Sequence, residues 1–255
     1  MIFSDIALAR PLLFLFACSL WACNSTEDGL PSYAINARLK QTVMYNIDGD
    51  SKPIGITAQY EYDPQARISK VSSPLYNEGK ITGVGSYDLY EYDAKGQLEK
   101  IVHFAANLHS GFINLQTKTY TYSSEGLKTM ERVHYPQIGS KEYTQFTYTG
   151  QKLAKAEKFN NRDQLETYTE YTYQGDLLET EELYRADGSL LRITRFAYER
   201  GLNTKEEIFL GSTNERFREI NRAYDSNRNL VQMTSRELSP VSSAMSFRLH
   251  FEYFR

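Results

Sequence analysis

Tyr90-Glu91-Tyr92-Asp93-Ala94-Lys95-Gly96-Gln97-Leu98 decides the fold of this 255-residue chain. Two rings stand two residues apart, a polar stretch follows, and an aliphatic residue restarts the chain. The rhythm recurs at Tyr60 to Ile68, Tyr120 to Leu127, Phe146 to Leu153, Tyr171 to Leu178 and Phe196 to Leu202. Arg222 to Leu230 keeps it with a single ring, and Phe251-Glu252-Tyr253-Phe254-Arg255 is a partial last copy. A unit repeating about every 25 to 30 residues signals one supersecondary element stacked many times.

A spacing of two places both rings on one face of a strand. Between the second ring and the restart lie Asp, Gly, Ser, Gln and Asn, which tolerate tight turns. Ring, turn and aliphatic therefore describe a β-hairpin. On the returning strand an apolar residue recurs six positions after the restart at Phe104, Val133, Phe159, Tyr184 and Ile208, which at even spacing predicts the same face. A second polar turn follows, as in Arg185-Ala186-Asp187-Gly188, and the next ring pair begins. Each copy thus supplies two strands and two turns.

No segment keeps a helical period with caps, so the chain reads as all-β. Strands joined by tight turns are antiparallel neighbours, which gives a meander of repeated hairpins. Fifteen or so strands predict one elongated sheet, twisted or spirally curved. Its aromatic rows would stack between copies, with Tyr173 inside the array and Tyr253 at an edge.

Tyr92-Asp93-x-x-Gly96-x-Leu98 resembles the YD repeat of the RHS family. Tyr62-Asp63 and Tyr224-Asp225 keep the dipeptide but carry Ala66 and Arg228 where Gly96 stands, and the remaining copies keep the tyrosine without the aspartate. The resemblance spans Tyr60 to Arg255 in rhythm. It implies a β-sheet scaffold of the kind found in small YD-repeat lipoproteins of Bacteroidota.

The N-terminus reads as an address. Arg10 precedes an apolar run, Pro11 to Leu20, that is too short to span a bilayer. Leu20-Trp21-Ala22-Cys23 resembles a bacterial lipobox, which implies lipid attachment at Cys23. Cys18 and Cys23 are the two cysteines of the chain, so nothing downstream could pair with Cys23. The expected organisation is a lipoprotein signal peptide over 1–22, a flexible tether over 23–36 and a YD-like β-repeat domain over 37–255. The acidic Glu27-Asp28 just after the cysteine resembles surface-export signals of Bacteroidota lipoproteins. The expected location is the cell envelope, anchored in the outer membrane.

The net charge of −3 gives no footprint for nucleic acid. His103, His109, His134 and His250 show no metal-ligand spacing. No Gly-x-Ser-x-Gly elbow, phosphate loop or Rossmann fingerprint occurs, and no cofactor is expected. Glu181-Glu182 and Glu206-Glu207 suggest paired carboxylates, but strand neighbours point to opposite faces and cannot flank one bond. Asn46-Ile47-Asp48-Gly49-Asp50 reads as a hairpin turn rather than a calcium loop, since the downstream glutamate is missing. Strands such as Leu153 to Phe159 carry charge on both parities, against a transmembrane barrel.

The leading expectation is a non-enzymatic, membrane-anchored binding or scaffold module, with an envelope protein or glycan as partner. A carbohydrate-binding lipoprotein using exposed tyrosine rows is the main alternative, and a cell-envelope hydrolase is a third.

Overall fold

The computed structural model describes residues 38–47, 52–77, 80–107, 110–238 and 246–254. The expected signal peptide, Cys23 and the tether fall outside these residues, as do Asp48, Gly49, Asp50 and His109. The described residues form sixteen strands. The first four are β1 (Leu39–Asn46), β2 (Pro53–Tyr62), β3 (Ile68–Asn77) and β4 (Lys80–Tyr92). Next come β5 (Leu98–Asn107), β6 (Gly111–Tyr122), β7 (Lys128–Tyr135) and β8 (Ser140–Thr149). They are followed by β9 (Lys152–Phe159), β10 (Leu165–Gln174), β11 (Leu177–Arg185) and β12 (Leu190–Glu199). The last four are β13 (Leu202–Leu210), β14 (Arg216–Tyr224), β15 (Leu230–Glu237) and β16 (Phe247–Tyr253).

Every strand pairs antiparallel with its sequence neighbours, and β16 returns to β1, so the meander closes into a barrel. This corrects the expected open or spiral sheet. An even number of antiparallel strands brings the last beside the first in antiparallel sense. The seam runs from Leu39 opposite Tyr253 to Asn46 opposite Phe247. Closure removes both edges, each of which would otherwise present a row of unpaired backbone groups.

The ring–turn–aliphatic hairpins share a second device that drives the curvature. In each, the register shifts just before the second tyrosine: Tyr62 pairs with Ile68 but Glu61 with Lys70, and Tyr173 pairs with Leu178 but Thr172 with Thr180. The same shift recurs at Tyr92, Tyr122, Tyr148, Tyr198 and Tyr224. One extra residue on the returning strand is a β-bulge, which bends its strand and increases twist. Seven such bends at one end of consecutive hairpins suit a sheet that curls shut.

The bulge also corrects the expected facing of the returning strand. Leu178 lies opposite Tyr173, but the extra Glu179 inverts parity beyond it, and Tyr184 stacks on Tyr168 instead, 4.9 Å between ring centroids. Phe104 on Tyr87 (5.0 Å) and Phe159 on Tyr143 (4.8 Å) follow suit. These three rings face away from the tyrosine rows. The two faces differ in exposure. Thr194, Ile208, Ile220, Met233, Ser235 and Phe251 are buried on the tyrosine side, whereas Thr147, Glu170, Thr172, Arg195 and Ala197 are exposed on the other. Side chains on the concave side of a barrel crowd together, so the protected tyrosine face is the inner one.

The turns next to the tyrosines explain the Tyr-Asp dipeptide. Asp93 Oδ1 accepts hydrogen bonds from the Lys95 and Gln97 backbone N–H groups, at 2.9 and 2.8 Å. Asp225 does the same for Asn227 and Asn229, and Ser123 Oγ for Glu125 and Leu127. A short side chain with an acceptor oxygen is the requirement, which is why serine replaces aspartate without loss of the turn. Ala66 and Arg228 adopt the positive φ (66° each) that Gly96 adopts at 83°, so all three close the same turn. Where the loop shrinks to two residues, as at Gly150-Gln151 and Gly175-Asp176, the first residue again has positive φ.

Gly188 at the opposite end also has positive φ, 83°, with open space around a would-be Cβ. Gly188→Val should therefore lower stability through the backbone alone, by about 1 kcal/mol or more. Substituting the exposed Ser124 by alanine should change it by less than about 0.5 kcal/mol. Thermal unfolding of both variants checks the difference, and equal midpoints would count against this turn geometry.

Candidate functional site

The aromatic-x-Tyr rows are the first place to look for a site, and their geometry is structural. Tyr92 donates its hydroxyl proton to the Ile68 carbonyl at 2.9 Å. Tyr62 reaches Leu39 (2.8 Å), Tyr122 Leu98 (2.8 Å), Tyr148 Lys128 (2.9 Å) and Tyr173 Leu153 (3.0 Å). Tyr224 reaches Asn203 (2.8 Å), and Tyr253 reaches Leu230 (2.9 Å). Each accepting carbonyl sits two residues outside the last backbone pair between neighbouring hairpins. Lys70 pairs with Leu89, for example, and the ladder stops there, short of Ile68. The phenol caps a carbonyl that the separating strands leave open.

Cations cover several of these rings: Arg67 lies 4.3 Å above Tyr92, Lys152 5.7 Å above Tyr173 and Arg38 5.8 Å above Tyr62. Burial pushes the phenols up, Tyr122 and Tyr253 to about 12. β16 carries Tyr253 between β15 and β1, so it does not sit at an edge, as the repeat alone predicts.

The inner face carries a second feature. Arg222 binds Glu206 at 2.7 Å and Asn203 Oδ1 at 3.2 Å, with both charged groups well buried. His103 contacts Asp88 at 2.7 Å on the same face. Glu181, half-buried on β11, lies opposite Thr194 and is pushed up to about 7, by burial first and then by Glu206, with Arg192 opposing. The adjacent carboxylates Glu181-Glu182 and Glu206-Glu207 do split to opposite faces. Glu181 and Glu206 nonetheless interact across β12, an association between two repeats that local spacing does not show.

A cavity of about 780 Å³ opens on the outer face over β6, β7 and β8. Sheet register sets its lining in rows. Thr117, His134 and Lys141 lie side by side, then Thr119, Arg132 and Tyr143, then Met130 with Gln145. The β9–β10 turn at Asn160, Asn161 and Asp163 forms one wall, and Asp163 accepts a hydrogen bond from the Tyr143 phenol. Three of the four histidines occupy separate settings: His134 borders this cavity, His103 meets Asp88, and His250 lies 4.6 Å from the Tyr45 ring; His109 is outside the described residues.

No protein-family model and no curated protein sequence matches the chain. Among solved structures, a porin-like protein from Bacteroides uniformis aligns over 85 % of this chain and 98 % of its own, with a TM-score of 0.54 and 11 % identity. A porin-like protein from Bacteroides vulgatus aligns over 86 % and 99 % at a TM-score of 0.37 and 10 % identity. The TcdB2-TccC3-Cdc42 complex matches 72 % of this chain, which spans 11 % of the matched toxin chain, at a TM-score of 0.32 and 16 % identity. The Bacteroides uniformis likeness supports the all-β fold over nearly the full length of both chains. At 11 % identity it concerns the fold alone.

Glu181 offers a measurable handle on the inner face. Its folded-state value lies above the ordinary carboxylate value of 4.5, so the folded state binds the extra proton between about pH 4.5 and pH 7. The stabilisation is present below the lower value and disappears as pH rises through about 7. Glu181→Gln should flatten that part of the stability–pH profile and raise stability at pH 8 by roughly 1–3 kcal/mol. Chemical denaturation across this range tests it, and an unchanged slope would remove Glu181 as the source.

Proposed function

We propose that this chain is a YD-repeat lipoprotein, anchored in the outer membrane through acylated Cys23, whose barrel is a non-enzymatic binding or scaffold module at the cell envelope. One observation carries the reading: ion pairs occupy both faces of the barrel within its strands. Lys155–Glu157 (2.8 Å) and Lys205–Glu207 (3.0 Å) lie on the outer face, and Arg222–Glu206 and Lys158–Glu142 (2.9 Å) on the inner. A lipid-embedded barrel needs an apolar outward band about 25 Å tall. With charges at that height on either side, membrane attachment falls to the N-terminal segment, whose lipobox resemblance supplies an anchor. Two or three acyl chains, at about 0.8 kcal/mol per buried methylene, hold far more firmly than one.

The tyrosine rows favour the scaffold reading over glycan binding by those rows. Their rings are half-buried and their hydroxyls are engaged by backbone carbonyls. The outer cavity bears on the hydrolase alternative. Asp163, at its wall, is bonded to Tyr143, and the Glu142 carboxylate turns to the inner face and pairs with Lys158. Neither stands free as a general acid or base, which supports a non-enzymatic role.

Labelling cells with a palmitate analogue should tag the protein, and Cys23→Ala should abolish the label and release the chain from membranes. Unchanged membrane attachment of that variant would reject the lipid anchor.

A further inference from the structure

The outer cavity brings two cations without a carboxylate partner to one place. On the outer face, Lys70, Lys100, Lys155, Lys205 and Arg216 each meet a glutamate. Arg132 and Lys141, by contrast, form no ion pair with any carboxylate of the described residues. They are diagonal neighbours on β7 and β8, because Arg132 lies opposite Tyr143 and Lys141 opposite His134. Sheet geometry puts such diagonal Cβ atoms about 7–8 Å apart, close enough for two like charges to repel. The Glu142 side chain turns to the inner face, where it pairs with Lys158, and Asp163 accepts from the neutral Tyr143 phenol, so one carboxylate stands against two cations. The cavity therefore keeps a net positive charge.

Beside these cations stands an aromatic group. Phe159 covers one face of the Tyr143 ring at 4.8 Å, and the ring also borders the cavity. Met130 adds apolar surface, and Gln145 and Thr119 add amide and hydroxyl groups. Two cations, a fixed ring and short polar groups match one ligand chemistry. A pyranose offers an apolar face to a ring and hydroxyls to amides, and a carboxylate or sulfate on it would meet the cations. Arg132 can hold such a group with two parallel hydrogen bonds. A volume of about 780 Å³ falls within the usual range for ligand pockets.

We propose that the cavity over β6, β7 and β8 binds an acidic oligosaccharide, with Arg132 and Lys141 on its anionic group and Tyr143 against a sugar ring. The proposal deepens the binding-module reading and rests on it, but its test uses purified protein and does not depend on Cys23 or membrane attachment.

The full-length protein in detergent is titrated calorimetrically with trigalacturonate and with a sulfated chondroitin tetrasaccharide. The uncharged methyl ester of trigalacturonate and inorganic sulfate serve as controls. At least one acidic oligosaccharide should bind. Arg132→Gln combined with Lys141→Gln should weaken it about tenfold or more, a change of about 1.4 kcal/mol. Removing charge from the ligand should have the same effect when trigalacturonate is the ligand that binds. Tyr143→Ala should weaken binding, and Tyr143→Phe should retain most of it. Equal thermal midpoints for the charge variant and the parent exclude misfolding as the cause. Binding of neither acidic oligosaccharide overturns the proposal. So does equal binding by the charge variant, or sulfate binding as tight as the saccharide, which would leave a simple anion site.

Discussion

The hydrogen bond from seven repeat tyrosines, Tyr62, Tyr92, Tyr122, Tyr148, Tyr173, Tyr224 and Tyr253, to a backbone carbonyl of the preceding strand holds the design together. Bulges bend the hairpins at one end of the barrel, and bending pulls neighbouring hairpins apart there. Backbone pairing then stops two residues early, at Lys100 with Thr119 or Lys155 with Glu170. The carbonyl two residues beyond that pair would lack a partner, and burying it so would cost about 1–3 kcal/mol. The tyrosine hydroxyl supplies the partner while its ring fills the opened gap. Curvature and tyrosine are therefore two sides of one solution, repeated from Tyr62 to Tyr253.

Much of this was legible in the residues. The ring pair, the turn and the aliphatic restart located the hairpins. Asp93 and its analogues announced the turns, since short acceptor side chains at that place have a local role. Closure was not legible. Whether β16 meets β1 depends on twist accumulated over many small bends, and a bulge leaves no trace in a two-residue alternation beyond a single extra position. That extra residue is also why Phe104, Phe159 and Tyr184 fell on the other face from the one their spacing implied.

The candidate site was hidden for a different reason. Arg132, Lys141 and Tyr143 come from two strands, and the wall at Asn160 and Asp163 from a turn after a third. Each looks like an ordinary polar strand or turn residue alone. Only the register of β7 against β8 brings the unpaired cations together. Glu181 and Glu206 illustrate the same limit, because the spacing argument correctly separated each adjacent pair and could not foresee a partnership across β12.

The division between the two faces follows from these constraints. The inner face must accommodate the tyrosines that cap the ladder, so its ionic groups are arranged around them in close pairs, as with Arg222 and Glu206. The outer face is free of that duty. Its rings pack in small local groups, as Tyr87 does with Phe104 and Phe112 and Tyr168 with Tyr184. A repeat protein of this kind can therefore vary its outer residues copy by copy without disturbing the bonds that close the barrel. Specific recognition is then expected where one copy gathers cations without carboxylate partners beside a cavity, as Arg132 and Lys141 are gathered.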